Sequence, residues 1–310
     1  MSDLKQAIKQ NYLKCAKDPS YFINQYCTIQ HPQRGKIKFK LYPFQYDVLN
    51  EYQKNEYNIV LKSRQLGIST LSAAYSLWMM LFQNDKNILV IATTKDTAKN
   101  LITKVRVMYD GLPAWLKTAI VENNKLSLVF KNGSQIKAIA SNESAGRSEA
   151  LSLLILDEAA FIEKIDTIWT AAQQTLATGG KCLAISTPNG VGNWFHKTWI
   201  DATDEVNKFN TVKLHWSEHP ERDEDWRREQ DKILGPSQAA QECDADFLSS
   251  GRSVVDPAIL EWYKEKMCCE PVEKSGFDRN LWIWDYPNYS KNYLICADVA
   301  RGDGTDFSAA

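Results

Sequence analysis

A chain of 310 residues with 44% hydrophobic and 24% charged residues holds one large or two ordinary soluble domains with a full core. Its formal net charge of −1 excludes a globally basic nucleic-acid binder, so any contact with DNA must come from local patches or from a part outside this sequence. Seven Cys without a C-x-x-C pair and four His without ligand spacing exclude a structural zinc site and fit reduced thiols in a cytosolic protein.

The N-terminus lacks an apolar leader region, and no apolar run approaches the ~18 residues of a membrane span, so a soluble, intracellular protein is expected. Residues 1–30 read as short helices broken at Asp18-Pro19-Ser20, and His31–Lys40 as a basic turn and strand. Leu41-Tyr42-Pro43-Phe44-Gln45 leads into a helix through about Tyr52. The apolar run Asn58–Leu61 suits a buried strand, and Leu71–Phe82 suits a helix. Asn87–Thr93 is a second buried strand, followed by a helix over Lys95–Asp110 with Thr94 or a neighbour as its cap. Lys125–Phe130 and Ser134–Ala140 alternate around Asn132-Gly133, which predicts a hairpin. Leu151–Leu156 and Lys181–Ser186 are two more buried strands. Strands that are apolar throughout and separated by helices predict an α/β fold, with a parallel sheet covered on both faces.

From Glu205 the texture changes. Phe209–His215 reads as an edge strand, and Glu218–Asp231 and Gly235–Ala245 as helices. Ser249-Ser250-Gly251 reads as a linker, and Trp282–Trp284 and Asn292–Ala297 as strands of a second domain. The division expected is 1–204, 205–250 and 251–310. The ten Trp are assigned to core and interdomain packing.

Between the first buried strand and its helix lies Lys62–Thr70, K-S-R-Q-L-G-I-S-T. A strand, a tight turn and a helix N-terminus make a phosphate site, because orphan N–H groups and the helix dipole point at the anion. Against the pattern G-x-x-x-x-G-K-[ST], Gly67 and Ser69 match; Lys62 replaces the first glycine and Ile68 the lysine. Asp157-Glu158 closes a buried strand, where two acids are costly unless they serve a site; a helix N-terminus is the rival reading. Ser186-Thr187-Pro188-Asn189-Gly190 also ends a strand, where its hydroxyls can sense a γ-phosphate or where it forms a simple turn. Gln45 is either an adenine reader or a solvated amide, and Arg147, in S-A-G-R-S-E-A, is either a positioned arginine finger or a loop charge.

A glutamine motif, a deviant phosphate loop, a strand ending in D-E-A and a strand ending in S-T-P-N-G, in that order, resemble the large terminase subunit of tailed bacteriophages. The resemblance covers roughly residues 20–310. It implies a RecA/ASCE-like P-loop NTPase with a mostly parallel central sheet, a small lid subdomain and the beginning of an RNase H-like nuclease domain. Some members carry the loop lysine at the start of the loop, here Lys62, from which a long ammonium reaches the β- and γ-phosphates. Carried over, Gln45 and the stretch Lys62, Ser63, Arg64, Gln65, Leu66, Gly67, Ile68, Ser69 and Thr70 bind ATP. Ser69 and Asp157 hold Mg2+, Glu158 is the catalytic base, and Ser186 and Thr187 couple hydrolysis to motion. Arg147 is a finger acting in trans, with Arg64 a competitor in cis. Asp298 is the first nuclease acid, and the R-G-D-G-T-D that follows, with Asp303 and Asp306, matches the family's glycine-rich turn; nothing in this sequence supplies the further acids a nuclease requires, so no nuclease activity is expected. The implied partners are double-stranded DNA, the portal, the small terminase subunit and, on a procapsid in the host cytoplasm, further copies of the chain in a ring. Two other readings stay open at this point: a helicase-like nucleic-acid translocase, and a pseudo-ATPase in which Ile68 has ended catalysis.

Overall fold

The structure, a computed structural model, describes residues 2–31, 33–141, 150–247, 259, 262–263, 266–276, 280–288, 290–294 and 296. Two units are distinguished, Met1–Pro257 and Ala258–Ala310.

The first two helices, α1 (Ser2–Lys17) and α2 (Pro19–Tyr26), divide at Asp18. Its carboxylate accepts the N–H groups of Ser20 at 2.8 Å and Tyr21 at 3.2 Å, while Pro19 takes a position that needs no N–H. The basic stretch forms an antiparallel pair, β1 (Thr28–His31) and β2 (Gly35–Lys38), and α3 (Pro43–Lys54) follows. Then come β3 (Tyr57–Lys62), α4 (Ile68–Phe82), β4 (Asn87–Ala92) and α5 (Lys95–Asp110). A meander of β5 (Ile120–Asn124), β6 (Ser127–Phe130) and β7 (Gln135–Ala140) precedes β8 (Leu153–Asp157), α6 (Ile165–Leu176), β9 (Lys181–Ser186) and α7 (Trp194–Thr203). The unit closes with β10 (Phe209–Leu214), α8 (Glu224–Leu234) and α9 (Pro236–Cys243). In the second unit, β11 (Glu273–Ser275) pairs antiparallel with β12 (Leu281–Ile283).

The central sheet runs β10-β3-β9-β8-β4-β7-β6-β5. Its members from β10 to β7 are parallel, and β6 and β5 are antiparallel to their neighbours. Successive side chains of a strand face opposite sides, which is why these strands are apolar throughout. Val60, Val90, Ile155 and Ile185 enter one core cluster, and Ile59, Ile91, Leu156 and Ala184 the other. Helix α4 is apolar on all sides, and an all-round apolar helix has to be enclosed; every residue from Leu71 to Leu81 is buried. Trp78 on this helix donates its indole N–H to the carbonyl of Cys15 at 2.8 Å, which ties α4 to α1.

β10 pairs with β3 along its full length, Phe209 opposite Tyr57 to Leu214 opposite Lys62, so the segment 205–250 opens on a strand of the central sheet. Alternation in a short segment reveals an edge strand but not its partner. Two expectations are corrected. The helix expected from Glu218 starts at Glu224, where Asp223 caps it by accepting the N–H of Trp226 at 2.8 Å. The strand expected over Asn292–Ala297 is not formed at its described residues, 292–294 and 296. Leu294 is 89% exposed there, without the packing that a half-buried strand requires. Arg147, Asp298, Asp303 and Asp306 lie outside the described residues.

Candidate active site

The loop that leaves β3 is held by its neighbours on both sides. The N–H of Ser63 donates to the carbonyl of Leu214 at 2.8 Å, and that of Arg64 to the carbonyl of Glu242 at 2.7 Å. Gln65 and Gly67 have φ of +60° and +74°, the left-handed geometry that curls a loop around an anion. A Cβ on Gly67 would lie 2.8 Å from Nε2 of Gln45, so glycine answers both a backbone and a space requirement. Gln45 is 2% exposed. Its Nε2 donates to the carbonyl of Leu66 at 2.9 Å and its Oε1 accepts the N–H of Tyr42 at 3.1 Å. Nε2 thus braces the loop, while Oε1 caps the first turn of α3. Ile68, in the usual lysine position, is 1% exposed and packs in the core. Its side chain is used for folding.

Parallel pairing through β9 brings the ends of β3 and β8 together. Ser69 Oγ donates to Asp157 Oδ1 at 2.8 Å across 88 positions of sequence. Lys62 Nζ meets Glu158 Oε1 at 3.1 Å, with the lysine side chain 6% and the glutamate side chain 33% exposed. Glu158 Oε2 accepts the N–H of Thr187 at 3.4 Å, and Ser186 Oγ accepts the N–H of Ala160 at 3.1 Å. The S-T-P-N-G turn thus touches both the acid and the residue two beyond it. Glu158 has φ of +54°, a conformation a non-glycine residue adopts at a cost and one that clusters at functional sites. Burial pushes the Asp157 carboxyl above its ordinary pKa; the charge of Glu158 adds to this, and Ser69, Lys62 and Lys104 oppose it. A buried carboxylate of this kind calls for a cation. A hydroxyl and a carboxylate are the hard oxygen donors that suit Mg2+, which takes its other ligands from phosphates and water; Ser69 and Asp157 fit that ion.

Three residues at the site escaped sequence reasoning. Lys104, half-buried on α5, feels the charges of Asp157 and Glu158, and burial lowers its pKa. It lines a cavity of about 460 Å³ with Thr70, Thr28 and Asn100. Glu242, on α9, pairs with the guanidinium of Arg64 at 3.1 Å, and Arg222 reaches the carbonyls of Arg64 and Gln65. Only helical phase placed Lys104 inward, and nothing local distinguished the other two. Arg64, expected on phosphate, has its side chain 66% exposed and turned to Glu242. A cleft of about 380 Å³ is lined by Arg64, Thr93, Glu158, Phe161, Thr187 and Glu242, so three of the motifs open onto one space.

Residues 59–256 match the family model described as "Terminase large subunit, T4likevirus-type, N-terminal". The large terminase subunit of Thermus virus P23-45 is 25% identical over 284 residues, covering 79% of this chain and 54% of that protein. The chain spans about half the length of the curated relatives it matches. The ATPase domain of the Thermus phage P74-26 large terminase superposes with a TM-score of 0.54 at 22% identity, covering 67% of this chain and 94% of that one. The large terminase of a thermophilic bacteriophage, solved in complex with ADP, superposes with a TM-score of 0.54 at 16% identity, over 66% of this chain and 52% of that one. At these identities the two structures establish a shared fold, a RecA-like sheet with helices on both faces, as the sequence predicts. With the family match extending from β3 to beyond α9, the chain belongs to the T4-like large terminase family, in its N-terminal part.

Proposed function

We propose that this chain is an ATPase that drives double-stranded DNA into a procapsid. The observation that carries the reading is the convergence of Lys62, Ser69, Asp157 and Glu158 at the C-terminal edge of one parallel sheet, with contacts of 2.8 and 3.1 Å. The loop N–H groups and the Lys62 ammonium bind the β- and γ-phosphates of ATP. Ser69 and Asp157 would hold Mg2+, which would supply neutralising charge to those phosphates. Lys62 and Glu158 pair at 3.1 Å; a phosphate that draws the ammonium away would leave Glu158 free to orient a water and take its proton. Thr187 donates to the same carboxylate, and Gln241 on α9 donates to the carbonyl of Pro188 at 3.3 Å. A change at Glu158 therefore has a bonded route from the S-T-P-N-G turn to α9, which supports Ser186 and Thr187 as coupling residues.

Arg147 as finger in trans, a ring of copies on the portal, the small terminase subunit as partner, assembly in the host cytoplasm and Asp298 as the opening acid of a nuclease belong to the same proposal. They rest on family membership. The test is phosphate release from ATP by the purified protein: Mg2+-dependent hydrolysis is expected, and its absence in a folded protein that binds ATP would leave a partner-binding domain instead.

A further inference from the structure

Arg222 lies in the turn between β10 and α8, half-buried. Among the described residues its guanidinium meets no carboxylate and lies on the phosphate loop. Nη1 donates to the carbonyl of Arg64 at 3.0 Å and to Ser63 Oγ at 3.5 Å, and Nη2 donates to the carbonyl of Gln65 at 3.3 Å. The guanidinium carbon lies over Trp226, 4.3 Å from the ring centre, a cation–π contact that helps hold the fork in place.

A trans peptide is planar, with its C=O and N–H pointing in opposite directions. The carbonyl of Arg64 shares a plane with the N–H of Gln65, that of Gln65 with the N–H of Leu66, and that of Leu66 with the N–H of Gly67. Arg222 holds the first two carbonyls, and Gln45 holds the third at 2.9 Å. Each N–H is thereby turned away from its clamp. None of the three donates to a protein acceptor among the described residues, and the positive φ of Gln65 and Gly67 curls the segment between them. Three orphan donors with their carbonyls pinned form a preset anion cradle.

We infer that Arg222 is a positioning residue that presets the phosphate loop for the polyphosphate of the nucleotide, an inference that rests on the reading of Lys62–Thr70 as the nucleotide site. Arg222 reaches the loop from the segment after β10, so phosphate affinity depends on how that segment is seated. Arginine is required, because two carbonyls on successive peptides match a planar fork and not a single ammonium. The N–H groups it presets contact phosphate in the ground state as in the transition state, and loss of such uniform binding raises KM with little change in kcat.

The experiment is a comparison of the full chain with Arg222→Ala and Arg222→Lys, using MgATP for steady-state kinetics and MgADP for equilibrium binding, with circular dichroism and thermal melts without nucleotide. The expected result is a rise of about 10- to 100-fold in KM and in the MgADP dissociation constant, a kcat within about threefold of the parent, no rescue by lysine, and a nucleotide-free melt close to that of the parent. Trp226→Ala, which removes the platform, is expected to give a smaller shift in the same direction. Parent-like KM and MgADP affinity in Arg222→Ala would overturn the inference, as would full rescue by lysine. Should the alanine variant melt early, the lysine variant decides by the same two constants. A folded parent that binds no MgADP overturns the nucleotide reading itself, and the inference with it.

Discussion

The displaced lysine is the sharpest claim about this site, and Lys62→Met tests it with little change in shape. Methionine keeps the apolar stem and removes the ammonium, which lies 3.1 Å from Glu158 in a side chain only 6% exposed. Unit charges at that distance interact by about 5 kcal/mol at an effective dielectric constant of ~20, part of which is offset by desolvation. Two charge-assisted contacts to a phosphate are worth about 3–4 kcal/mol together, so kcat/KM for MgATP is expected to fall by about 10²- to 10³-fold. The stability cost is smaller. Losing one partner of a fully buried pair costs about 3–5 kcal/mol, but Glu158 is a third exposed and keeps the N–H of Thr187. About 1–2 kcal/mol is expected, a shift of a few degrees in Tm for a unit of this size. Coupled phosphate-release kinetics and a thermal melt measure both. A folded Lys62→Met protein with kcat/KM within about tenfold of the parent would refute the placement of this ammonium on the phosphates. Ile68→Lys in that background is expected not to restore activity, because position 68 is 1% exposed and belongs to the core.

Glu158→Gln should bind MgATP with near-parental affinity and hydrolyse it at least ~10²-fold more slowly, since general-base assistance is worth that much or more; parental turnover in single-turnover experiments would remove Glu158 from the role of base. Arg147→Ala should lose hydrolysis alone and regain it when co-assembled with Glu158→Gln, because each variant then supplies what the other lacks; no regain in verified mixed assemblies argues against a finger in trans. The pH dependence of stability follows from three histidines, His196, His215 and His219, whose pKa values burial lowers below the usual 6.5. A depressed folded pKa contributes stability that is present above 6.5 and lost as pH falls through the folded value. Tm should therefore drop between about pH 7 and pH 5, and less so when the three are replaced by glutamine. An equal drop in the triple variant would assign the effect to other groups.

Much of this architecture is legible from local pattern. Strands buried on both faces have to be apolar at every position, so β3, β4, β8 and β9 announce themselves with their ends nearly in place. Asp18 and Pro19 mark a helix junction by chemistry confined to a few residues. Ser69, Asp157 and Glu158 stand out because polar groups at the ends of such strands need a reason. Gln45 was legible as a motif member, and its bond to the N–H of Tyr42 is a local capping contact, but nothing local reveals that its Nε2 reaches the carbonyl of Leu66, 21 positions away.

What the sequence determined by itself was the buried strands β3, β4, β8 and β9, the loop and the acids, since each is encoded within a dozen neighbouring residues. Tertiary structure decided how they meet. Placing β9 between β3 and β8 sets the distance from which Lys62 reaches Glu158, 96 positions away, and gives Ile68 to the core. It also seats β10 beside β3, and with it Arg222 on the carbonyl of Arg64, 158 positions apart. Those partners are backbone carbonyls and a strand edge, groups that every residue carries, so no choice of side chain in the sequence could mark them in advance.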